Sequence, residues 1–218
     1  MTSAEPEAPL GCVCVIDDDP EVRGAIGSLL RSVGYDVRLY DGPGAFLSAG
    51  SPGATSCLIL DIRLSGENGL DFQERIAAQG IVIPVVLITG HGDIPMTVRG
   101  MRAGAIDFLP KPFEDDQLLK AVAAALDTDR TRRAQSAGVA GIKAYYERLT
   151  PREREVMGLV VTGLMNKQVA ARLGLSEITV KIHRGNVMRK MEAQSLADLV
   201  RMAEQLSVRD ESIHRFNI

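Results

Sequence analysis

The chain has 218 residues, 45% apolar and 24% charged, with a formal net charge of -3, values ordinary for a soluble globular protein and long enough for one large or two small domains, each with its own core. No apolar run approaches the roughly 18 residues needed to span a membrane, and the acidic start MTSAEPEAPL lacks a basic region followed by an apolar one, so the expected location is the cytoplasm. The charge is unevenly distributed: residues 1–126 hold 17 acidic against 9 basic side chains and residues 127–218 hold 11 against 16, which points to two domains with different partners.

Cys12 to Ile16 is a short apolar run that predicts a buried strand, and it ends directly in Asp17, Asp18 and Asp19. Pro20 then suits the first turn of a helix carrying Val22, Ile26, Leu29 and Leu30, closed at Gly34. Three adjacent carboxylates repel one another unless a cation offsets them, so the cluster reads either as hard oxygen ligands for a divalent metal or as acids gathered at a helix N-terminus. Cys12, Cys14 and Cys57 fall in predicted strands without CxxC spacing and read as reduced core residues.

Val37 to Tyr40 predicts a second strand, and a short helix with Phe46 and Leu47 follows. Cys57 to Leu60 is a third, fully buried strand that delivers Asp61 to its C-terminal end, where ligands bind in open α/β sheets. Ser65, Gly66, Asn68 and Gly69 form a tight loop before a helix with Leu70, Phe72 and Ile76. Val85 to Ile88 predicts a fourth strand ending in Thr89 and Gly90, Ile94 to Ala103 a helix, and Asp107 to Leu109 a fifth strand ending in Pro110, Lys111 and Pro112.

Strand and helix thus alternate five times, which predicts a doubly wound parallel sheet with helices on both faces. Asp17, Asp18, Asp61, Thr89 and Lys111 fall at its strand ends. Carboxylates, a hydroxyl and an ammonium at one sheet edge supply an acidic metal pocket with a nucleophile, a phosphoryl hydrogen-bond donor and a fixed counter-charge.

The strings VIDDDPEVR, LILDIRLSGENGLDF, VLITGHGD and GAIDFLPKPF strongly resemble the receiver domain of bacterial two-component response regulators, a flavodoxin-like fold. The resemblance implies that Asp61 accepts a phosphoryl group from a sensor histidine kinase. It implies that Asp18, Asp61 and the backbone carbonyl of Arg63 ligate Mg²⁺ (or Mn²⁺), with Asp17 assisting through water. Thr89 and Lys111 would hold the phosphoryl oxygens, Phe108 would fill the aromatic switch position, and the Lys111–Pro112 peptide would be cis. Arg63 and His91 fall at positions that tune phosphoryl lifetime; an exposed loop residue is the alternative for His91. Ser65 stands where many relatives have proline, from which a more mobile loop is expected.

Beyond a helix opened at Glu114, with Leu118, Leu119, Val122 and Leu126 facing the sheet, the polar stretch DTDRTRRAQS reads as a helical connector. Its weak points are Gly138 and Gly141, and its RTRR cluster is expected on a solvated face rather than on DNA phosphates. Thr150, Pro151 and Glu153 form a capping box with proline at the first helical position. Gly163 ends that helix, Asn166 is expected to cap a short one with Val169, Ala170 and Leu173, Gly174 makes a turn, and Ser176 caps a longer basic helix. That is the helix-turn-helix pattern. On the last helix Val180, His183, Val187 and Met191 form a core stripe, leaving Lys181, Arg184 and Arg189 off it, as cations suited to phosphate and guanine contacts.

The string LTPREREVMGLVVTGLMNKQVAARLGLSEITVKIHRGNVMRKM closely resembles the LuxR-type helix-turn-helix output domain, and with the receiver it defines the NarL/FixJ class of response regulators. Lys181 and Ile182 then fall at base-reading positions, Gly185 falls where many relatives carry a longer polar side chain, and Thr179, Arg184, Arg189 and Lys167 complete the expected DNA contacts. Ser195 to Glu204 would be a fourth helix supporting dimerisation. The expected organisation is a disordered N-terminus (1–10), a receiver (11–126), a helical linker (127–148), an all-α four-helix output domain (149–206) and a tail (207–218). The implied protein is a transcription factor that pairs on phosphorylation, engages promoter DNA and RNA polymerase, and loses its own phosphate without being a dedicated enzyme. Two alternatives remain: a Mg-dependent aspartyl-phosphate phosphohydrolase, against which Arg63 stands where a second Asp would be needed, and a phosphorylation-independent interaction module.

Overall fold

A computed structural model describes residues 10–50, 52–90 and 92–208; the expected N-terminal and C-terminal tails lie almost wholly outside these, and His91 lies outside them too. Contacts divide the chain into two units, one through Arg133 and one from Ala134 onward.

The first unit is a five-stranded parallel sheet in the order β2-β1-β3-β4-β5, with β1 Cys12–Ile16, β2 Asp36–Tyr40, β3 Ser56–Asp61, β4 Val85–Thr89 and β5 Asp107–Pro110. Helices α1 Pro20–Ser32, α2 Pro43–Ala49, α3 Gly69–Ala78 and α4 Ile94–Arg102 alternate with the strands, and α5 Asp115–Glu147 follows β5. Side chains alternate across a pleated strand, so each strand feeds two cores. Cys12, Cys14, Ile16, Leu58, Leu60 and Leu87 pack with Phe46, Phe72 and Ile76 of α2 and α3. Val13, Val15, Cys57, Ile59 and Val86 pack with Ile26 and Leu30 of α1 and Leu118, Val122 and Leu126 of α5. All three cysteines are free and buried, as the strand reading requires.

The strand order reverses between β1 and β3, the place where an open sheet leaves a crevice at its C-terminal edge. Asp17 and Asp61 stand there, at the ends of β1 and β3.

Helix α5 runs unbroken through Gly138 and Gly141 for 33 residues. The attachment of its first part to the sheet extends beyond Leu126. Asp129 is buried and accepts the backbone N–H of Ser56 at 2.9 Å, and Arg132 and Arg133 both donate to its carboxylate. Arg133 also donates to the carbonyls of Pro52 and Gly53, each at 3.3 Å. The RTRR cluster is therefore solvated only in part: Arg130 and Thr131 are exposed, whereas Arg132 and Arg133 neutralise a buried acid and Arg133 also docks on the loop before β3.

The second unit contains α6 Pro151–Val160, α7 Asn166–Leu173, α8 Glu177–Lys190 and α9 Leu196–Gln205, packed around Val156, Met157, Val160, Val169, Val180, Val187, Met191 and Leu199. The capping box of α6 forms as its sequence requires: Glu153 N–H donates to Thr150 Oγ1 and Thr150 N–H to Glu153 Oε2. Burial disfavours the charge on Glu153, yet Lys190 at 2.6 Å and the Thr150 N–H hold its carboxyl below the usual range. Asn166 does not cap α7. Met165 occupies that position, with its N–H satisfied by the Gln168 carboxamide oxygen at 2.8 Å, while Asn166 Oδ1 accepts from Arg184 of α8 at 3.2 Å.

Candidate functional site

The acidic cluster resolves into two jobs. Asp19 is the N-cap of α1, accepting the N–H groups of Glu21 and Val22, so for this residue the helix-terminus reading holds. Asp17, Asp18 and Asp61 instead converge, with one carboxylate oxygen from each lying within 4.8 Å of the others.

Lys111, delivered by the loop after β5, ties this group together. Its ammonium lies 2.7 Å from Asp17 Oδ2 and 2.9 Å from Asp61 Oδ2. Burial pushes the Asp17 carboxyl above the usual carboxylate range against the pull of Lys111. Burial disfavours the Lys111 charge as well, but its bonds to Asp17 and Asp61 hold it above its ordinary value. The Lys111–Pro112 peptide is cis. Asp17 is fixed further by the Asp19 N–H on Oδ1 and by Arg23, which donates to its carbonyl at 2.6 Å.

The second oxygen of Asp61 accepts the Arg63 N–H at 3.2 Å. Directly behind Asp61, α3 starts at Gly69, where a Cβ would come within 2.2 Å of the Asp61 carbonyl oxygen. Only glycine lets the helix begin this close. Ser65 departs from the expected looser loop: its backbone N–H and its hydroxyl both donate to Asp18 Oδ2, holding that carboxyl below its ordinary value. Proline could supply neither donor. Thr89 is buried at the end of β4. Phe108 is half-buried, with its ring against Gly92, where a Cβ would come within 2.8 Å of it and 3.3 Å of the Thr89 methyl. Arg63 is exposed.

Residues 13–123 match the family described as response regulator receiver domain, and residues 147–203 match bacterial regulatory proteins of the luxR family. The chain is 56% identical to nodulation protein W of Bradyrhizobium diazoefficiens, over 90% of this chain and 86% of that one. It is 41% identical to the transcriptional regulatory protein FixJ of the same organism, over 88% and 94%. This chain is a response regulator of the NarL/FixJ class. Its fold superposes on the solved response regulator StyR with a TM-score of 0.80 at 46% identity, covering 89% of this chain and 98% of that one.

The response regulator's second unit arranges α7 and α8 as a helix-turn-helix, joined through left-handed Gly174 with φ 65°. Lys181, Ile182, Gly185 and Arg189 are exposed on α8, as is Lys167 on α7, and Thr179 is half-buried. Arg184 is half-buried through its bond to Asn166, and Arg189 donates to Asn186 Oδ1 at 3.1 Å. His183 is only half-buried, although its Nδ1 is enclosed.

The sequence reading missed three positioning contacts: Ser65 on Asp18, Arg23 on the Asp17 carbonyl, and Asp129 on Ser56. Only the last left a signal. Asp129 continues the apolar stripe of Leu118, Val122 and Leu126, and arginines follow it at three and four residues, the spacing at which a helical acid finds its base.

Proposed function

We propose that Asp61 accepts a phosphoryl group from a sensor histidine kinase, and that this modification controls how the second unit binds promoter DNA. The observation that supports it most is Lys111, whose single ammonium bridges Asp61 and Asp17. In the transfer an Asp61 carboxylate oxygen attacks phosphorus, the bond from phosphorus to the phosphohistidine nitrogen breaks, and the imidazole leaves with the electron pair. Lys111 already faces the growing negative charge, and the Thr89 hydroxyl and the Arg63 N–H end at the same sheet edge, as phosphoryl-oxygen donors and aids to positioning.

The donor set is all hard oxygen, fitting Mg²⁺ or Mn²⁺. Asp18, Asp61 and the Arg63 backbone carbonyl would hold the cation directly and Asp17 through water, and the bound cation supplies neutralisation of phosphoryl oxygen charge. Phe108, whose ring lies against Gly92, is the group placed to respond to an added phosphate. Arg63 and His91 tune how long the phosphate lasts. The chain is a phosphoryl acceptor and not a dedicated enzyme, since Arg63 occupies the place where a phosphohydrolase of this type needs a second acid.

Phosphorylated copies pair through α4, where Ile94, Val98 and Met101 expose an apolar stripe at spacings of four and three, and α9 contributes on DNA. Lys167, Thr179, Lys181, Ile182, Arg184, Gly185 and Arg189 form the DNA-facing set, and RNA polymerase is the downstream partner. Among the described residues no helix is long and apolar enough to cross a membrane, and the proposed location is the cytoplasm.

Acetyl phosphate should label the protein only with Mg²⁺ or Mn²⁺ present, and Asp61→Asn should abolish labelling. Labelling that persists in Asp61→Asn refutes the assignment.

A further inference from the structure

The buried residues Val180 and Val187 of α8, with Met191 at its C-cap, mark the inward side. At about 100° per residue, the opposite side is centred on Ile178, Ile182, Gly185 and Arg189, with Lys181 at its margin. Ile178 and Ile182 are 74% and 59% exposed. Four residues apart, they form one apolar ridge along the outward face. A scattered exposed apolar residue needs no explanation, but two adjacent ones at the middle of the outward face of the second helix in a helix-turn-helix have a defined position and chemistry.

The polar groups that usually read bases from such a helix are engaged or missing. Arg184 is turned to Asn166, and Arg189 at the far end is bonded to Asn186. Gly185 offers no side chain, and a Cβ there would meet nothing within 4 Å. The N-terminal half of the face therefore presents Ile178, Lys181 and Ile182. Beside Ile182 on α8 stands exposed Lys181, and α7 exposes Lys167 and Arg172, against the single exposed acid Glu177 at the start of α8; this excess of cations on the two helices suits a polyanion rather than an apolar protein partner. In a major groove the apolar feature available is the thymine 5-methyl group.

We propose that Ile178 and Ile182 are specificity-determining residues that read the methyl groups of neighbouring thymines, so that the preferred half-site has adjacent A·T pairs under the start of α8. This rests on the DNA-binding reading above and names the base chemistry it selects.

The test uses the full-length protein, with and without acetyl phosphate and Mg²⁺, to select DNA from a random pool. Each thymine of the selected site is then replaced by deoxyuridine, which removes only the methyl. At two or more positions the replacement should weaken binding about three- to fivefold, the loss expected for one buried methyl. Ile178→Ala and Ile182→Ala should each erase the penalty at one of those positions, read as the ratio of affinities for the thymine and deoxyuridine sites within the same variant. Should an alanine variant lose random-DNA binding, Ile178→Val and Ile182→Val supply the comparison, with a reduced penalty expected. Selection of a site in which every thymine tolerates replacement, or penalties that persist undiminished in all variants, overturns this inference alone. Failure to select any DNA in either state overturns the DNA-binding reading and this inference with it.

Discussion

Lys111 reaches from the loop after β5 to within 2.9 Å of Asp61 Oδ2, at the end of a strand two places away in the sheet. The same ammonium is the counter-charge for Asp17, whose side chain is fully buried. Removing one partner of such a group leaves a buried charge uncompensated. Lys111→Ala is therefore expected to destabilise the first unit by about 3 kcal/mol. A divalent cation supplies the missing positive charge, so Mg²⁺ should stabilise the variant more than the parent. Urea unfolding with and without Mg²⁺ measures both effects; equal stabilisation of the two proteins would contradict the assignment of Lys111 as counter-charge.

Asp129 gives a pH prediction. Burial alone would raise its carboxyl, but bonds from Arg132, Arg133 and the Ser56 N–H together hold it below the usual range. A depressed folded-state value stabilises the fold above the unfolded value, about 3.9, and that stability is lost as pH falls through the folded value. Asp129→Asn should cost about 2 kcal/mol at neutral pH, the size of a charged hydrogen-bond set, and the gap from the parent should close in acid. Chemical unfolding at several pH values checks this, and a gap that stays constant into acid would show that the Asp129 charge is not responsible.

How much of this was legible depended on whether the signal was periodic or depended on a distant partner. The continuous apolar runs Cys12 to Ile16 and Cys57 to Leu60 give their strands directly, because a short run apolar on both faces suits a strand covered on both sides. The carboxylates, Thr89 and Lys111 were legible because each ends an apolar run, and parallel strands bring such ends to one edge. Asp129 left only a local signal, the apolar stripe it continues and the arginines three and four residues on; its partner N–H lies 73 residues away. Ser65 was read only for the rigidity it lacks, not for the two donors it offers Asp18. Met165 at a cap position was hidden because the bond there comes from Gln168.

On α8, Lys181 lies in the second turn, where side chains reach base edges, and Arg189 lies in the last turn, nearer phosphates. Lys181→Ala should weaken binding to a selected site more than to random DNA, costing about 1 to 3 kcal/mol of discrimination. Arg189→Ala should weaken both alike and lower the salt dependence of binding. Titrations on the two DNAs decide it, and equal losses on both for Lys181→Ala would assign that residue to the backbone instead.

The α4 stripe predicts how the phosphate is read out. Ile94 is 80% exposed, and Val98 and Met101 continue the same side of the helix. Arg99, on the far side of the helix, is held by Asp71 and Glu74 of α3, which leaves apolar contact as the main chemistry this stripe offers a second copy. Two output units carried by one dimer on adjacent half-sites gain avidity through effective concentration, which can raise overall affinity by about 10² to 10⁴ without a new contact to DNA. Val98→Glu places a charge in the middle of the stripe without touching the carboxylate pocket. The variant should accept phosphate from acetyl phosphate at the parent's rate, remain monomeric in sedimentation when the phosphorylated parent is dimeric, and lose at least tenfold in affinity for a two-half-site DNA. Phosphate-dependent dimers of normal strength in Val98→Glu would place the pairing surface elsewhere.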